Sequence, residues 1–585
     1  MKLIDALNIG RSGVPGGPTF RVGLVTGFSP LHLETFLRAE LQLLFPERVV
    51  AISTGAYGDV SGTLNDLDRT QLEAVALAVE WDDLDPRLGL RQLGGWSVEA
   101  AQDILVQSRL RLSLIQALVE DLARALPIAV SLPTLPIPPL FSTPGWQTSE
   151  EEFELRKQVT AFGAAIARSA RVRLVSEQRL NVMSSASARL DARSLWASGF
   201  PYHIPHASAV AELLARLLQD RVPKKGLITD LDNTLWRGIV GEVGSEGIHW
   251  DLDHKSQAHG IYQQFLAELA DEGVLLAAAS KNERALVDEV FKRKDLLLTP
   301  DRIFPFEVSW SSKATAVSSI LARWNVGPDS VVFVDDDPLE LAEVQTQHPD
   351  VTCLQFPAQD PHGVMALLAD LRDRFGKRSV SEEDRLRLQS IRANAELQPA
   401  SRQTEGFSEA LLERADAQLT ITMSKHAADS RTLELINKTN QFNLNGRRVT
   451  EGEWHRHLSQ PDTFLLAATY KDRFGSLGKI AVMSGRTDGS MLRVDSWVMS
   501  CRAFARRIEH QCLRYLYSKL NVTTIVFDYA PTSRNGPIQA FFSEIVGKNP
   551  QSPVELSRDG FEAVCPRLFH HVLEADGEWI APRNA

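Results

Sequence analysis

The chain has 585 residues, of which 44% are hydrophobic and 23% charged, enough apolar surface for three to four cores in ordinary folded protein. A formal net charge of −11 argues against a nucleic-acid binder, and no apolar run is long enough to span a bilayer. The four cysteines, Cys353, Cys501, Cys512 and Cys565, are widely spaced. They exclude a zinc knuckle or a dense disulfide framework and suit reduced thiols in a cytoplasmic protein. The opening stretch lacks the basic and apolar regions of a secretory signal and reads as a Gly/Pro-rich leader.

Residues 1–220 alternate short apolar runs with helical patterns. Strands are expected at Arg21–Thr26, Val49–Ser53, Ala74–Glu80, Pro127–Leu132 and Val172–Ser176, with the clearest helices at Leu31–Phe45 and Ala101–Leu126. This alternation predicts an α/β sandwich with a largely parallel, flavodoxin-like sheet. Gly27-Phe28-Ser29 follows the first strand, and His203 and His206 lie near the segment's end. That placement resembles the SGNH hydrolase type. No Asp-x-x-His precedes the last helix, however, and a serine after a strand is usually a helix cap. The segment is therefore expected to be SGNH-like in fold and non-catalytic.

Residues 221–377 alternate again. Strands are expected at Gly226–Asp230, Val274–Ala279, around Ile303–Phe306 and at Val331–Val334, with helices at Ser256–Asp271, Glu283–Phe291 and Lys313–Trp324. The first strand ends in Asp230-Leu231-Asp232, whose side chains at i and i+2 share one side of an extended chain. Strand carboxyl ends are where open α/β sheets bind ligands. Two carboxylates there can hold a hard cation or divide nucleophilic and acid–base work. By itself the stretch is equally an Asx turn continued by Asn233 and Thr234. The other strands decide between the two readings: Ser280-Lys281-Asn282, Lys313 and Asp335-Asp336-Asp337 fall at equivalent carboxyl ends.

This order resembles the haloacid dehalogenase (HAD) superfamily. The resemblance implies Asp230 as phosphate nucleophile and Mg²⁺ ligand, and Asp232 as general acid/base. Thr234, Ser280, Lys281, Asn282 and Lys313 would hold the phosphoryl group, and Asp230, Asp232, Asp335 and Asp336 the metal. The spacings Asp232–Ser280 and Ser280–Lys313 leave no room for a large inserted cap domain. Gly238–Gly247, Gly-rich but carrying two glutamates, reads as a flexible flap.

Residues 378–415 read as a charged, helical linker. Residues 416–585 change character. Strands are expected at Leu419–Met423, Phe464–Tyr470, Gly478–Met483, Leu492–Met499 and Thr523–Asp528, and helices at Ser430–Lys438, Ala503–Lys519 and Gly536–Val546. A mixed α+β sheet with a central strand feeding a helix resembles the GNAT acyltransferase fold. The turn carries Cys501, Arg502, Arg506 and Arg507. A helix start and cationic neighbours would lower a thiol's pKa, though a lone cysteine is more often a buried apolar residue.

Taken together the three segments make an α/β chain that resembles the FkbH-like proteins. The likeness is carried by Asp230–Trp236, Leu435–Leu444, Asp472–Gly475, Ser500–Arg502 and Pro531–Asn535. It implies an enzyme that removes phosphate from 1,3-bisphosphoglycerate and loads the glyceryl unit onto the phosphopantetheine arm of an acyl carrier protein in polyketide assembly. Cys501 would carry the acyl group, with Asn440, Gln441, Arg502 and Asn535 as a possible acyl or carrier site. Neither nucleic acid nor membrane is implied as a partner. This chain departs from the family in having Ala505 and Arg507 where glycines are usual, and Asp337 where many members have Asn. The alternatives are a plain Mg²⁺ phosphatase with a C-terminal binding module, or a loader of another acyl group.

Overall fold

The computed structural model describes the chain except residues 15, 94–96, 98, 139–142, 220, 378–379, 381–383, 385–386, 389–390, 393–408, 426–427, 474, 501–502, 505, 548–549 and 576–585. Its architecture is α/β, with two parallel sheets and one mixed sheet. The chain divides into two compact units: Met1–Arg221 with Val449–Ser459, and Val222–Arg448 with Gln460–Ala585.

The first unit holds a five-stranded parallel sheet of β1 (Thr19–Thr26), β2 (Val49–Thr54), β3 (Ala74–Ala78), β4 (Ile128–Ser131) and β5 (Val172–Leu174), in the order β2-β1-β3-β4-β5. This is the doubly wound order of flavodoxin-like sheets. Every residue of β3 and β4 is buried, as expected of central parallel strands covered on both faces. The helices Leu31–Leu44 and Ile204–Leu218 pack over one face, and Ala100–Leu122 and Glu150–Ile166 over the other. The helix Glu451–Ser459, read from sequence as part of the third segment, belongs to this unit. Its Glu451 pairs with Arg173 at 2.6 Å, and Glu453 pairs with Arg48 at 3.1 Å.

The second unit contains the other two sheets. The parallel one comprises β6 (Gly226–Thr229), β7 (Leu275–Ser280), β8 (Ile303–Val308), β9 (Val331–Asp335) and β10 (Thr352–Gln355), ordered β10-β9-β6-β7-β8. The chain order reverses at β6, between β9 and β7, which makes the carboxyl ends of β6 and β9 the switch point of the sheet. Thr229 pairs with Val334, so Asp230 and Asp335 leave adjacent strands side by side. Close approach of the helix Lys313–Trp324 depends on Gly226: a Cβ there would lie 2.5 Å from Cζ3 of Trp324.

The mixed sheet runs β17-β16-β15-β14-β13-β11-β18. Its strands are β11 (Gln418–Met423), β13 (Thr463–Asp472), β14 (Gly475–Asp488), β15 (Met491–Met499), β16 (Thr524–Phe527), β17 (Val554–Ser557) and β18 (His571–Glu574), and β12 (Phe442–Asn443) pairs with β15. Parallel pairing occurs between β15 and β16 and between β11 and β18. The helix expected at Ala503–Lys519 spans Ile508–Leu520. It starts later because Arg507, the residue before it, takes a positive φ of 59°, which α-helical backbone does not tolerate. Among the described residues no helix is long and apolar enough to cross a membrane.

Candidate active site at the carboxyl end of the second parallel sheet

Local sequence explains why the carboxylates converge. Leu227 and Ile228 are wholly buried, one on each face of the sheet, and they fix β6 as a central strand. The backbone N–H of Asp230 still donates to Val334 O at 2.9 Å, so the ladder continues one residue beyond the strand. Past it the chain turns sharply. Asn233 takes φ 53°, and its Oδ1 accepts from Gly238 N at 3.1 Å. Thr234 is fully buried, and its hydroxyl donates to Asp336 Oδ1 at 3.4 Å.

The carboxylates of Asp230, Asp335 and Asp336 lie close enough to share one ion, with candidate ligand oxygens within 4.8 Å of one another. Asp230 and Asp335 are buried, and Lys313 bridges them, its Nζ 2.8 Å from Asp230 Oδ1 and 2.5 Å from Asp335 Oδ2. Burial pushes the Asp230 carboxyl up to about 7, against the attraction of Lys313 and with the repulsion of Asp335. Burial also raises Asp335 and Asp336. For Lys313 burial opposes the charge, yet the two carboxylates hold it above its ordinary value. Two buried carboxylates and a half-buried third around one ammonium form a site with spare negative charge. Such a donor set, all hard oxygen, suits Mg²⁺.

Asp232 is placed differently. Its Oδ1 accepts from Trp236 Nε1 at 2.8 Å and from Val240 N at 3.1 Å, and its Oδ2 accepts from Asn282 Nδ2 at 2.8 Å. Asp232 thus stands outside the three-carboxylate group, held by three donors, and a metal-ligand role for its side chain does not fit. Those donors fix the orientation of its carboxylate. Asn282 also donates to Ser280 Oγ at 3.3 Å, so Ser280, Asn282 and Asp232 form one connected set. Lys281 departs from its expected phosphate-binding role, since its Nζ lies 2.6 Å from Glu340 Oε1. Asp337 caps the helix Pro338–Gln347 by accepting from Leu339 N.

The flap expected at Gly238–Gly247 contains a short helical turn, Val240–Val243, anchored by buried Val240. Sequence reasoning missed Trp236 and the Val240 amide as anchors of Asp232. It also missed His249, Asp251 and His254, whose ligand atoms also lie within 4.8 Å; His-x-Asp-x-x-His on one loop was the available signal.

The remaining expected site residues divide. Cys501 and Arg502 lie outside the described residues. Asn535 is fully buried and structural: it donates to Asn443 O and Ala530 O at 2.9 Å and accepts from Thr532 N and Gln539 Nε2 at 2.7 Å. No acyl-binding capacity is left on it. Asn440 Oδ1 accepts from Arg448, while Gln441 Oε1 is buried with no hydrogen-bond partner among the described residues. In the first unit, His206 is fully buried between the hydroxyls of Thr134 and Ser184, both at 2.9 Å, and burial lowers it to about 3. His203 is exposed at a helix start, with Asp191 at 3.8 Å. Neither is hydrogen-bonded to Ser29 among the described contacts, whose backbone N–H donates to Gly199 O.

Comparison with solved structures gives a fold likeness. The N-terminal part of protein BF1531 from Bacteroides fragilis, described as containing a phosphatase domain complexed with Mg, is 20% identical with a TM-score of 0.52, covering 65% of this chain and 100% of its own. Phospholipase A1 from Streptomyces albidoflavus is 9% identical over 34% of this chain and 98% of its own, with a TM-score of 0.25. No protein-family model matches the chain. No curated protein matches it either.

Proposed function

We propose that the second unit is a Mg²⁺-dependent phosphohydrolase of the HAD type acting on a small phosphorylated substrate. One observation carries this reading: Lys313 bridges buried Asp230 and Asp335 at the switch point, beside an Asp232 fixed by three hydrogen bonds. An Asp230 oxygen attacks phosphorus, and the bond from phosphorus to the leaving oxygen breaks. Where that oxygen needs a proton, Asp232 supplies it; Asp232 then takes a proton from the water that cleaves the aspartyl phosphate. Ser280 and Lys313 donate to phosphoryl oxygens. Asp230, Asp335 and Asp336 would hold the cation, which supplies charge neutralisation for the carboxylates and the transferring group.

The finer reading rests on the family resemblance of the motifs. There the substrate is 1,3-bisphosphoglycerate, and the glyceryl group passes to the Cys501 thiol and then to the phosphopantetheine arm of an acyl carrier protein. Thiolate attack on an acyl phosphate forms a thioester and releases phosphate without ATP. A soluble, cytoplasmic setting suits that chemistry.

Phosphate release with Mg²⁺ from small phosphorylated acids tests the first reading. Asp230→Asn is expected to lower turnover by about three orders of magnitude or more, as loss of a nucleophile does; wild-type-like release from this variant would overturn it. Intact-protein mass spectrometry with 1,3-bisphosphoglycerate tests the second. A glyceryl adduct is expected on the wild type and absent from Cys501→Ala. Its persistence on that variant would leave the phosphatase reading standing and remove the thioester.

A further inference from the structure

The stretch His249-Trp250-Asp251-Leu252-Asp253-His254 brings two imidazoles and a carboxylate onto one loop, just ahead of the helix Gln257–Asp271. One ligand atom from each of His249, Asp251 and His254 lies within 4.8 Å of the other two. Backbone bonds fix where these residues stand. His249 forms a two-bond bridge with Arg237, donating to Arg237 O at 3.1 Å and accepting from Arg237 N at 2.9 Å. The Arg237 guanidinium also donates to His254 O at 2.9 Å, so one residue ties both histidines. Ser256 closes the loop at its base, donating from its N–H to Asp251 O at 2.9 Å and accepting from Asp251 N at 3.0 Å on Oγ. Asp251 Oδ1 accepts from His254 N at 2.8 Å and from His254 Nδ1 at 2.8 Å.

Imidazole nitrogen and carboxylate oxygen together suit a borderline divalent ion such as Zn²⁺, whereas the all-carboxylate group of Asp230, Asp335 and Asp336 suits a hard one. Asp251 and His254 Nδ1 already face each other across a shared proton, the place an ion would take as that proton leaves. The two imidazole rings stack, with centroids 3.5 Å apart and planes 2° from parallel. Parallel rings cannot aim both lone pairs at one ion, so one ring must turn out of the stack. The exposed His254 ring has room to do so, and the terminal torsion of histidine is soft. Three protein ligands leave the fourth position of a tetrahedral ion to water.

We propose that His249, Asp251 and His254 bind one divalent cation of the Zn²⁺ class, which staples the flap that follows β6. The bridge between Arg237 and His249 closes the base of residues 238–248, and the Val240 amide within them holds Asp232. An ion on His249, Asp251 and His254 ties that base to the loop leading into the helix Gln257–Asp271. The site shares no residue with the Asp230 group and stands independently of the phosphohydrolase reading.

Isothermal titration of the full chain with Zn²⁺ tests it, with the thiols alkylated and millimolar Mg²⁺ present to occupy the carboxylate group. A single saturable equivalent is expected. His249→Ala and His254→Ala should each weaken it by at least about tenfold, since even an outer partner of a metal ligand is worth that much. Asp336→Asn, in the carboxylate group, should leave it unchanged. X-ray absorption at the zinc edge of the unalkylated wild type should show nitrogen and oxygen neighbours at about 2.0–2.2 Å and no sulfur. Zn²⁺ should also slow cleavage of the wild type after Glu242 and Glu246 by a glutamate-specific protease, and should not do so for His249→Ala. Absence of saturable binding, binding lost in Asp336→Asn and kept in both histidine variants, sulfur in the zinc shell, or flap cleavage indifferent to Zn²⁺ would overturn the proposal.

Discussion

Lys313 places its ammonium between Asp230 and Asp335, and its two contacts are short because all three groups are buried. Replacing it with Met would keep the bulk and leave two buried carboxylates facing each other. Breaking a buried ion pair from one side costs about 3–5 kcal/mol. Lys313→Met is therefore expected to lose stability on that scale without added cation, measured by urea unfolding, and a change below about 1 kcal/mol would contradict the charge balance described. These residues were legible in the sequence because Asp230 and Asp335 stand at strand ends and Lys313 opens the helix that follows β8, where type and spacing carry the chemistry. The exclusion of Asp232 from the carboxylate group was not. Its three donors come from Trp236, Val240 and Asn282, and only the folded turn brings them to it.

At the scale of elements, the loop after β3 carries Glu80, a buried carboxylate that accepts from Thr134, Leu135 and Tyr202. Burial outweighs those bonds and raises it from 4.5 to about 7. The folded state therefore holds the proton more tightly than the unfolded chain. The stability this contributes is complete below about pH 4.5 and is lost as the pH rises through about 7. A shift of this size corresponds to about 3 kcal/mol. Relative to Glu80→Gln, the wild type should lose about that much between pH 4.5 and 7.5 in urea unfolding; parallel pH profiles for the two would refute it. Close helix–sheet contact sets a second expectation. Gly226→Ala drives a Cβ to 2.5 Å from Trp324, and overpacking of this kind costs about 1–3 kcal/mol, readable as a lowered thermal midpoint. Most strands and helices followed from periodicity. Edge strands such as β10, β17 and β18 did not, because their half-exposed residues carry no strong apolar pattern.

Across the whole molecule, the order of the chain is not the order of its compact units. Helix Glu451–Ser459 joins the first unit, more than two hundred residues from the rest of it, through Glu451–Arg173 and Glu453–Arg48. Arg173 and Glu451 are both nearly buried, so Glu451→Ala would strand a guanidinium. The expected loss is about 1–3 kcal/mol, seen as faster proteolysis within residues 1–221, and an unchanged cleavage rate would show that the pair holds nothing. Local sequence sufficed for the α/β class, the parallel sheets, the strand-end residues Asp230, Ser280 and Asp335, and Lys313 at a helix start. Those signals are local, since period-two and period-3.6 burial and strand-end spacing are written within a few residues. Strand order and the turn after β6, by contrast, bring Asp230, Asp335 and Asp336 into one group while Asp232 stands apart. The fold likewise makes Asn535 a structural clamp and pairs Lys281 with Glu340. Each of those depends on strand order and helix packing, which bring together residues with no regular spacing along the chain.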